Sequence, residues 1–331
     1  MAAERDRDWD GVRLHVVTGK GGTGKTTVAA ALAVALAGGG RRVLLAELEG
    51  RQGLAQLFDV PPLPYEERKV ALAHGGGEVF ALAVDAEQAL LEYLEMFYKL
   101  GRAGKGLKRI GAVDFATTVA PGLRDVLLTG KVYEAVGRRG KDRRPAYDAV
   151  VMDAPPTGRI ARFLNVNAEV AGLARVGPVR NQADSIMRML RSPQTVVHFV
   201  TLLEEMPVQE TCDGVEEVRA LGLPVGGVFI NMVRTPVLRQ TDLAAAAKGR
   251  LDRAGIAAGL KEAGIDPDDT LLDGLLAEAA EHGQRVALEK RERKTISAIG
   301  LPRYELPLVS DGIDLGALYD LAQRLTAQGA A

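Results

Sequence analysis

The sequence predicts an α/β fold, a doubly wound and mostly parallel sheet with a helical insert. Two observations carry this. Runs that are apolar along their whole length recur along the chain, as at residues 43–46 and 149–152, and such runs suit parallel strands covered on both faces. Longer segments with helical periodicity lie between them, so strand and helix alternate.

The first strand is expected at residues 12–18, followed by Gly19-Lys20-Gly21-Gly22-Thr23-Gly24-Lys25-Thr26 and an alanine-rich helix over residues 27–37. Strand, glycine loop and helix together fit the G-x-x-x-x-G-K-[ST] pattern of a phosphate-cradling loop. Glycines let the backbone approach phosphate oxygens with no Cβ in the way. The N–H groups of the loop and of the helix start then point at the anion. Lys25 is placed for the β- and γ-phosphates, and the Thr26 hydroxyl for Mg²⁺. Gly19, Gly21, Gly22, Thr23, Gly24, Lys25, Thr26 and Thr27 form the expected nucleotide-binding stretch of a P-loop NTPase.

The second strand, residues 42–47, ends in Glu47, with Glu49 and Gln52 just beyond. A carboxylate there can orient an attacking water, or it can be a solvated loop acid. A strand at 79–84 leads into the first insert segment, about 85–138, where Leu90, Leu91, Leu94, Phe97 and Tyr98 make one apolar stripe. The basic run at 138–144 contains a glycine and reads as a surface loop. The next strand, 147–153, ends in Asp153-Ala-Pro-Pro-Thr-Gly158. An acid at a strand end beside a phosphate loop is where a Mg²⁺-linked carboxylate sits, and Gly158 can bring an N–H near the γ-phosphate.

The second insert segment, about 165–192, carries Val179, Ala183, Ile186, Met187 and Leu190 on one face. The two stripes either pack on each other or line an apolar groove. A strand at 195–203, a helix holding Cys212 and a strand at 225–231 follow. The last ends in Asn231, whose amide offers a donor and an acceptor to an adenine edge. The sequence there is Asn-Met-Val-Arg, with no carboxylate to read the guanine amine, so adenine is favoured. Residues 241–298 are expected to form several short helices, interrupted by Gly259, Gly264 and Pro267, with 289–294 as a solvated face. A strand at 303–306 and a core-facing helix with Leu315, Leu318, Leu321 and Leu325 complete the fold. Residues 1–11 are expected to be disordered, 12–327 to be one domain, and 328–331 to fray.

The 331 residues are 47% hydrophobic and 26% charged with a net charge of -1, which is ordinary for a globular protein and gives no reason to expect a nucleic-acid partner. Cys212 is the single cysteine, so no intrachain disulfide and no Cys-x-x-Cys metal site is available. His15, His74, His198 and His282 are scattered without ligand spacing and read as structural. No signal peptide is seen and no apolar run approaches about 18 residues, so a cytoplasmic location is expected, with any membrane contact peripheral.

With its second lysine, Lys20, the loop resembles the deviant Walker A motif of dimeric P-loop ATPases related to MinD and the nitrogenase iron protein. Within that class the chain resembles the ArsA family of arsenite-pump ATPases and tail-anchored-protein targeting factors. Residues 43–58 are similar to that family's switch I, and Asp153 to Gly158, continuing through Arg162 and Leu164, to its switch II. Pro121-Gly-Leu-Arg-Asp125 resembles its Pro-Gly-x-x-Glu segment, and Asn231 matches its adenine-reading asparagine. Pro307 opens the stretch where the family has a nucleotide-covering loop.

The resemblance implies ATP and Mg²⁺ as cofactors, a dimer, and nucleotide-driven opening and closing. It implies Lys20, Glu49 and Asp153 as catalytic residues, with Lys20 reaching the partner's phosphates, and Thr26 and Asp153 on the metal. It also admits a client-binding, chaperone-like targeting factor for membrane proteins, or a weakly catalytic regulatory subunit. A bacterial subset with this version of switch I looks as if it works beside a paralogue, so homodimer and heterodimer are both open.

The departures bear on rate. The family's switch I usually reads Asp-Pro-Ala-His where this chain has Glu49-Gly50-Arg51-Gln52, and Arg159 replaces a histidine of switch II. An extra methylene displaces the carboxylate, and about 1 Å of displacement can cost ~100-fold in rate. Slow or partner-dependent hydrolysis is expected. The family's zinc and arsenite cysteines are absent.

Overall fold

In the computed structural model, residues 8–48, 50, 52–98, 121–166, 168 and 178–331 are described. The first strand, β1 (Leu14–Gly19), is buried along its length and runs through the P-loop into α1 (Lys25–Ala37). Next come β2 (Arg42–Glu47), the short α2 (Gly53–Leu57), β3 (Arg68–Leu72), β4 (Glu78–Ala83), α3 (Ala86–Tyr98) and α4 (Pro121–Gly137). The chain continues through β5 (Ala149–Asp153), α5 (Thr157–Leu164), α6 (Pro178–Leu190), β6 (Thr195–Thr201), α7 (Glu205–Ala220) and β7 (Val225–Val233). The last elements are α8 (Gln240–Ala246), α9 (Arg253–Glu262), α10 (Asp269–Ala298), β8 (Arg303–Pro307) and α11 (Leu315–Ala327).

The strands form one sheet in the order β3-β4-β2-β5-β1-β6-β7-β8. Every pairing is parallel except the antiparallel β3–β4 edge. Strand order reverses around β1, which places a ligand crevice at the carboxyl ends of the central strands. Side chains alternate between two cores, as a pleated strand requires. Val17, Val43 and Leu45 face α1 and α11, with Leu32, Phe229, Leu321 and Leu325. Leu14, Val16 and Leu44 face α4 to α7, with Phe163, Ile186, Leu190 and Phe199.

The second insert's stripe is resolved in favour of internal packing where it is described. Ala183, Ile186, Met187 and Leu190 are all buried in the second core, and Leu90 of the first stripe is also buried, at 6% exposure. The side chains of Leu94, Phe97, Tyr98 and Val179 lie outside the described residues. No described helix is long and apolar enough to cross a membrane.

Several expectations are corrected. β3 was not expected: its charged Arg68 and Lys69 break the apolar pattern, as suits a protected edge strand, and Lys69 pairs with Glu78 at 3.2 Å. Residues 241–298 hold two short helices, but the third, α10, runs 30 residues. Gly264 and Pro267 fall in the link before it, while Gly259 sits within α9. Nor is 289–294 simply solvated. Glu292 is 5% exposed and accepts from Arg291 at 2.9 Å, and Arg293 reaches Glu305 of β8 at 2.7 Å.

The described residues at both ends of the chain make contacts with the fold. The Tyr304 hydroxyl donates to Asp8 at 2.6 Å, and the Trp9 ring meets His198 edge-on at 5.0 Å. At the other end Gln328 pairs with both backbone groups of Glu305, and Ala330 and Ala331 join the first core.

His15 and His198 lie fully buried between β1 and β6, with His15 Nδ1 3.1 Å from His198 Nε2. Gly227 N–H donates to His198 Nδ1 at 3.0 Å, which assigns the His198 proton to Nε2 and makes His15 Nδ1 its acceptor. Burial holds His15 neutral, its pKa lowered to about 3, and pushes His198 well below its usual value too. Cys212, on α7, is half-buried against Leu203, Val208 and Ile296, and burial raises its thiol pKa.

Candidate nucleotide-binding site

The carboxyl ends of β1, β2, β5 and β7 bring most of the expected residues together. At the P-loop, Gly24 has φ +81 and caps α1, and a Cβ there would lie 2.4 Å from Asn231 Nδ2. Glycine is required at that position by both conformation and space. Gly19 is fixed by space: a Cβ would stand 2.2 Å from the Val200 carbonyl oxygen on β6. The Thr23 hydroxyl donates back to the Lys20 carbonyl at 2.8 Å and tightens the loop. Lys25 is 9% exposed at the first turn of α1. Gly21, Gly22 and Thr27 complete the loop and its helix start.

Asp153 ends β5, paired in register with Glu47 of β2. Its Oδ2 accepts from the Thr26 hydroxyl at 2.7 Å. Thr18 on β1 donates to the Pro155 carbonyl at 2.7 Å, which ties the segment after Asp153 to the strand feeding the P-loop. Gly158 is exposed at the start of α5. Arg159, just beyond it, lines a ≈ 140 Å³ cavity with Arg124, Leu48 and Pro155.

Glu47 is 2% exposed, and its Oε1 accepts from the Gly53 N–H at 2.9 Å. Glu49 and Arg51 lie outside the described residues. Gln52, also beyond the end of β2, is committed to the backbone of Leu63. Its amide accepts from Leu63 N at 2.7 Å and donates to Leu63 O at 3.1 Å, with its own backbone at φ 56. Gln52 therefore pins the end of the loop to the segment before β3.

Asn231 donates from Nδ2 to the Thr23 carbonyl at 2.9 Å. The residue expected to meet the base thus also holds the phosphate loop. Pro307 stands next to the end of β7, in register with Val233. A cavity of ≈ 460 Å³ opens beside Asn231, lined among others by Leu203, Met232, Arg285 and Leu288.

Lys20 makes an ion pair with Glu210 of α7 in its own chain. Glu210 Oε2 also accepts from the Thr157 hydroxyl at 3.1 Å. Sequence reasoning missed Glu210, which belongs to no motif and lies 190 residues from Lys20.

These residues suit a magnesium nucleotide. The loop excludes a Cβ at Gly19 and Gly24, its Gly22 and Gly24 take positive φ, and a hydroxyl and a carboxylate are the hard oxygen donors Mg²⁺ takes alongside phosphates and water. Fold and loop define the chain as a P-loop NTPase. The model of the anion-transporting ATPase family matches residues 12–194, and the chain belongs to that family. It is 56% identical to ATPase BagA of Mycobacterium tuberculosis over 319 residues, 96% of this chain and 94% of the relative. It is 27% identical to an arsenical pump-driving ATPase of Acidiphilium multivorum over 276 residues, 77% of this chain and 45% of the relative. It is 25% identical to ATPase GET3 of Kluyveromyces lactis over 255 residues, 67% of this chain and 72% of the relative. The chain is a nucleotide-binding ATPase of this family.

Proposed function

We propose that the chain is a dimeric MgATP switch, in which the state of the nucleotide sets the position of the helices carried on α3, α4 and α6. The observation that carries this reading is the Thr26–Asp153 hydrogen bond at 2.7 Å. It joins the P-loop to the segment holding Gly158, so an ion or phosphate entering there must disturb both. Lys25 and the loop N–H groups bind the β- and γ-phosphates. Thr26 and Asp153 would hold Mg²⁺, which would neutralise charge on the phosphates. Gly158 reads the γ-phosphate, and its loss on hydrolysis frees α5 to move.

Asn231 and Pro307 receive the adenine. One N–H of Asn231 Nδ2 is spent on Thr23, and Oδ1 serves as an acceptor for the adenine amine. Glu49 activates water. Lys20 crosses to the phosphates of a second chain and neutralises charge in transfer. The second chain is another copy or a paralogue.

The burial of Ala183, Ile186, Met187 and Leu190 favours the switch reading over an apolar client groove in that segment. The test is steady-state ATP turnover and mass by light scattering, each with and without a non-hydrolysable MgATP analogue. A slow ATPase that associates only with MgATP is expected. Fast turnover by a monomer would overturn the reading.

A further inference from the structure

We propose that Glu210 is a positioning residue that clamps Lys20 to switch II and yields Lys20 when a triphosphate arrives. The inference rests on the reading of the P-loop as the triphosphate site. One carboxylate engages both nucleotide-facing loops. Oε1 takes the Lys20 ammonium, and Oε2 accepts from Thr157, the residue before Gly158.

Both backbones that carry the clamp are fixed. Four residues along α7 from Glu210, Gly214 fits so closely that a Cβ would lie 2.8 Å from Phe199 and 3.5 Å from the Thr157 methyl. Val208 and Thr211 are buried beside it. The helix backbone at Glu210 is therefore held against Thr157, which is itself only 3% exposed. On the other side the Lys20 backbone is fixed, because its carbonyl accepts from Thr23, while its side chain remains 32% exposed. The Glu210 side chain is 32% exposed as well, so the pair can part while both backbones stay in place.

A lysine so held cannot serve a phosphate without leaving Glu210. A triphosphate is a stronger and multiply charged acceptor, so it wins that competition. The lost ion pair is subtracted from the binding free energy, and for a pair this exposed the effect is about two- to fivefold in affinity. Once Lys20 leaves, Glu210 keeps only Thr157, and the P-loop and α5 are no longer joined through it. The clamp makes the empty chain resist closure until the anion is present.

The test uses the full chain and a fluorescent MgATP analogue, with Glu210→Gln, Lys20→Ala, the double variant, and Glu217→Gln as an exposed charge control on the same helix. Glu210→Gln should tighten binding about two- to fivefold, Glu217→Gln should not, and the gain should vanish in the Lys20→Ala background. No change, weaker binding, or an equal gain without Lys20 would overturn the proposal. The last outcome would mean plain removal of negative charge near the phosphates. If Glu210→Gln does not fold, Glu210→Asp replaces it, since the shorter side chain cannot span Lys20 and Thr157 together, and the same gain and the same loss in the Lys20→Ala background are required. Failure of the wild-type chain to bind the analogue would sink the underlying site assignment instead.

Discussion

Thr26 and Asp153 stand 127 residues apart in sequence and 2.7 Å apart in space. That bond joins the first turn of α1 to the last residue of β5, and its two residues are the ones proposed to hold Mg²⁺. Asp153→Asn should therefore leave nucleotide affinity in EDTA close to wild type while weakening Mg²⁺ binding about 10- to 100-fold. Titrating Mg²⁺ against bound fluorescent ATP measures this. Equal loss with and without the metal would show that Asp153 only supports the loop.

Asn231 offers a second measurable split. With its Nδ2 on the Thr23 carbonyl, Asn231→Ala should weaken ATP and GTP together by loosening the loop. It should also lose about fivefold of the preference for ATP, the worth of one neutral hydrogen bond. Competition binding with the two nucleotides separates the parts. An unchanged ATP to GTP ratio would remove Asn231 from base reading.

Glu47 and Glu49 can be told apart by turnover. If Glu49 activates water, Glu49→Gln should cut kcat at least about 100-fold and leave KM nearly unchanged. Glu47 accepts from the Gly53 N–H, so Glu47→Gln should act on the ordering of the loop and raise KM as well. The opposite pattern would exchange their roles.

The buried histidine pair gives a pH dependence. His15 has a folded pKa of about 3 against 6.5 for the free side chain. Between these values the unfolded chain binds more protons, so stability is full above about pH 6.5 and falls as the pH drops towards 3. Nearby Arg41 acts in the same direction as burial. At pH 5 His15 alone should cost about 2 kcal/mol. Urea unfolding at pH 8 and pH 5 reads it, and His15→Leu with His198→Leu should flatten the slope. An identical slope in that variant would exclude the pair as its source.

The parts of this protein legible in sequence are those in which structure is local or periodic. Gly19 to Thr26 are adjacent in the chain, and the loop they form is the one expected. The placement of Asp153 at the end of β5 and of Asn231 near the end of β7 was legible because an apolar run shows where a strand lies. Glu210 was not, because nothing at Glu210 itself marks a partner 190 residues away. The two amide contacts of Gln52 and the buried side of Glu292 escaped for the same reason: a polar residue shows its type in sequence, while the group that satisfies it is supplied by another part of the fold. β3 was missed because an edge strand carries charge where a central strand is apolar.

Cys212 sits two residues from Glu210, on the same helix, and is the chain's single cysteine. A maleimide dye therefore labels one position of the wild-type chain with no engineering. Since burial raises the thiol pKa, the coupling wants a mildly alkaline buffer and will be slow, which itself makes the labelling rate a gauge of how open α7 is against α10. A reporter placed there by nature can follow the helix that carries the clamp in real time, as nucleotide is mixed in and as it is consumed.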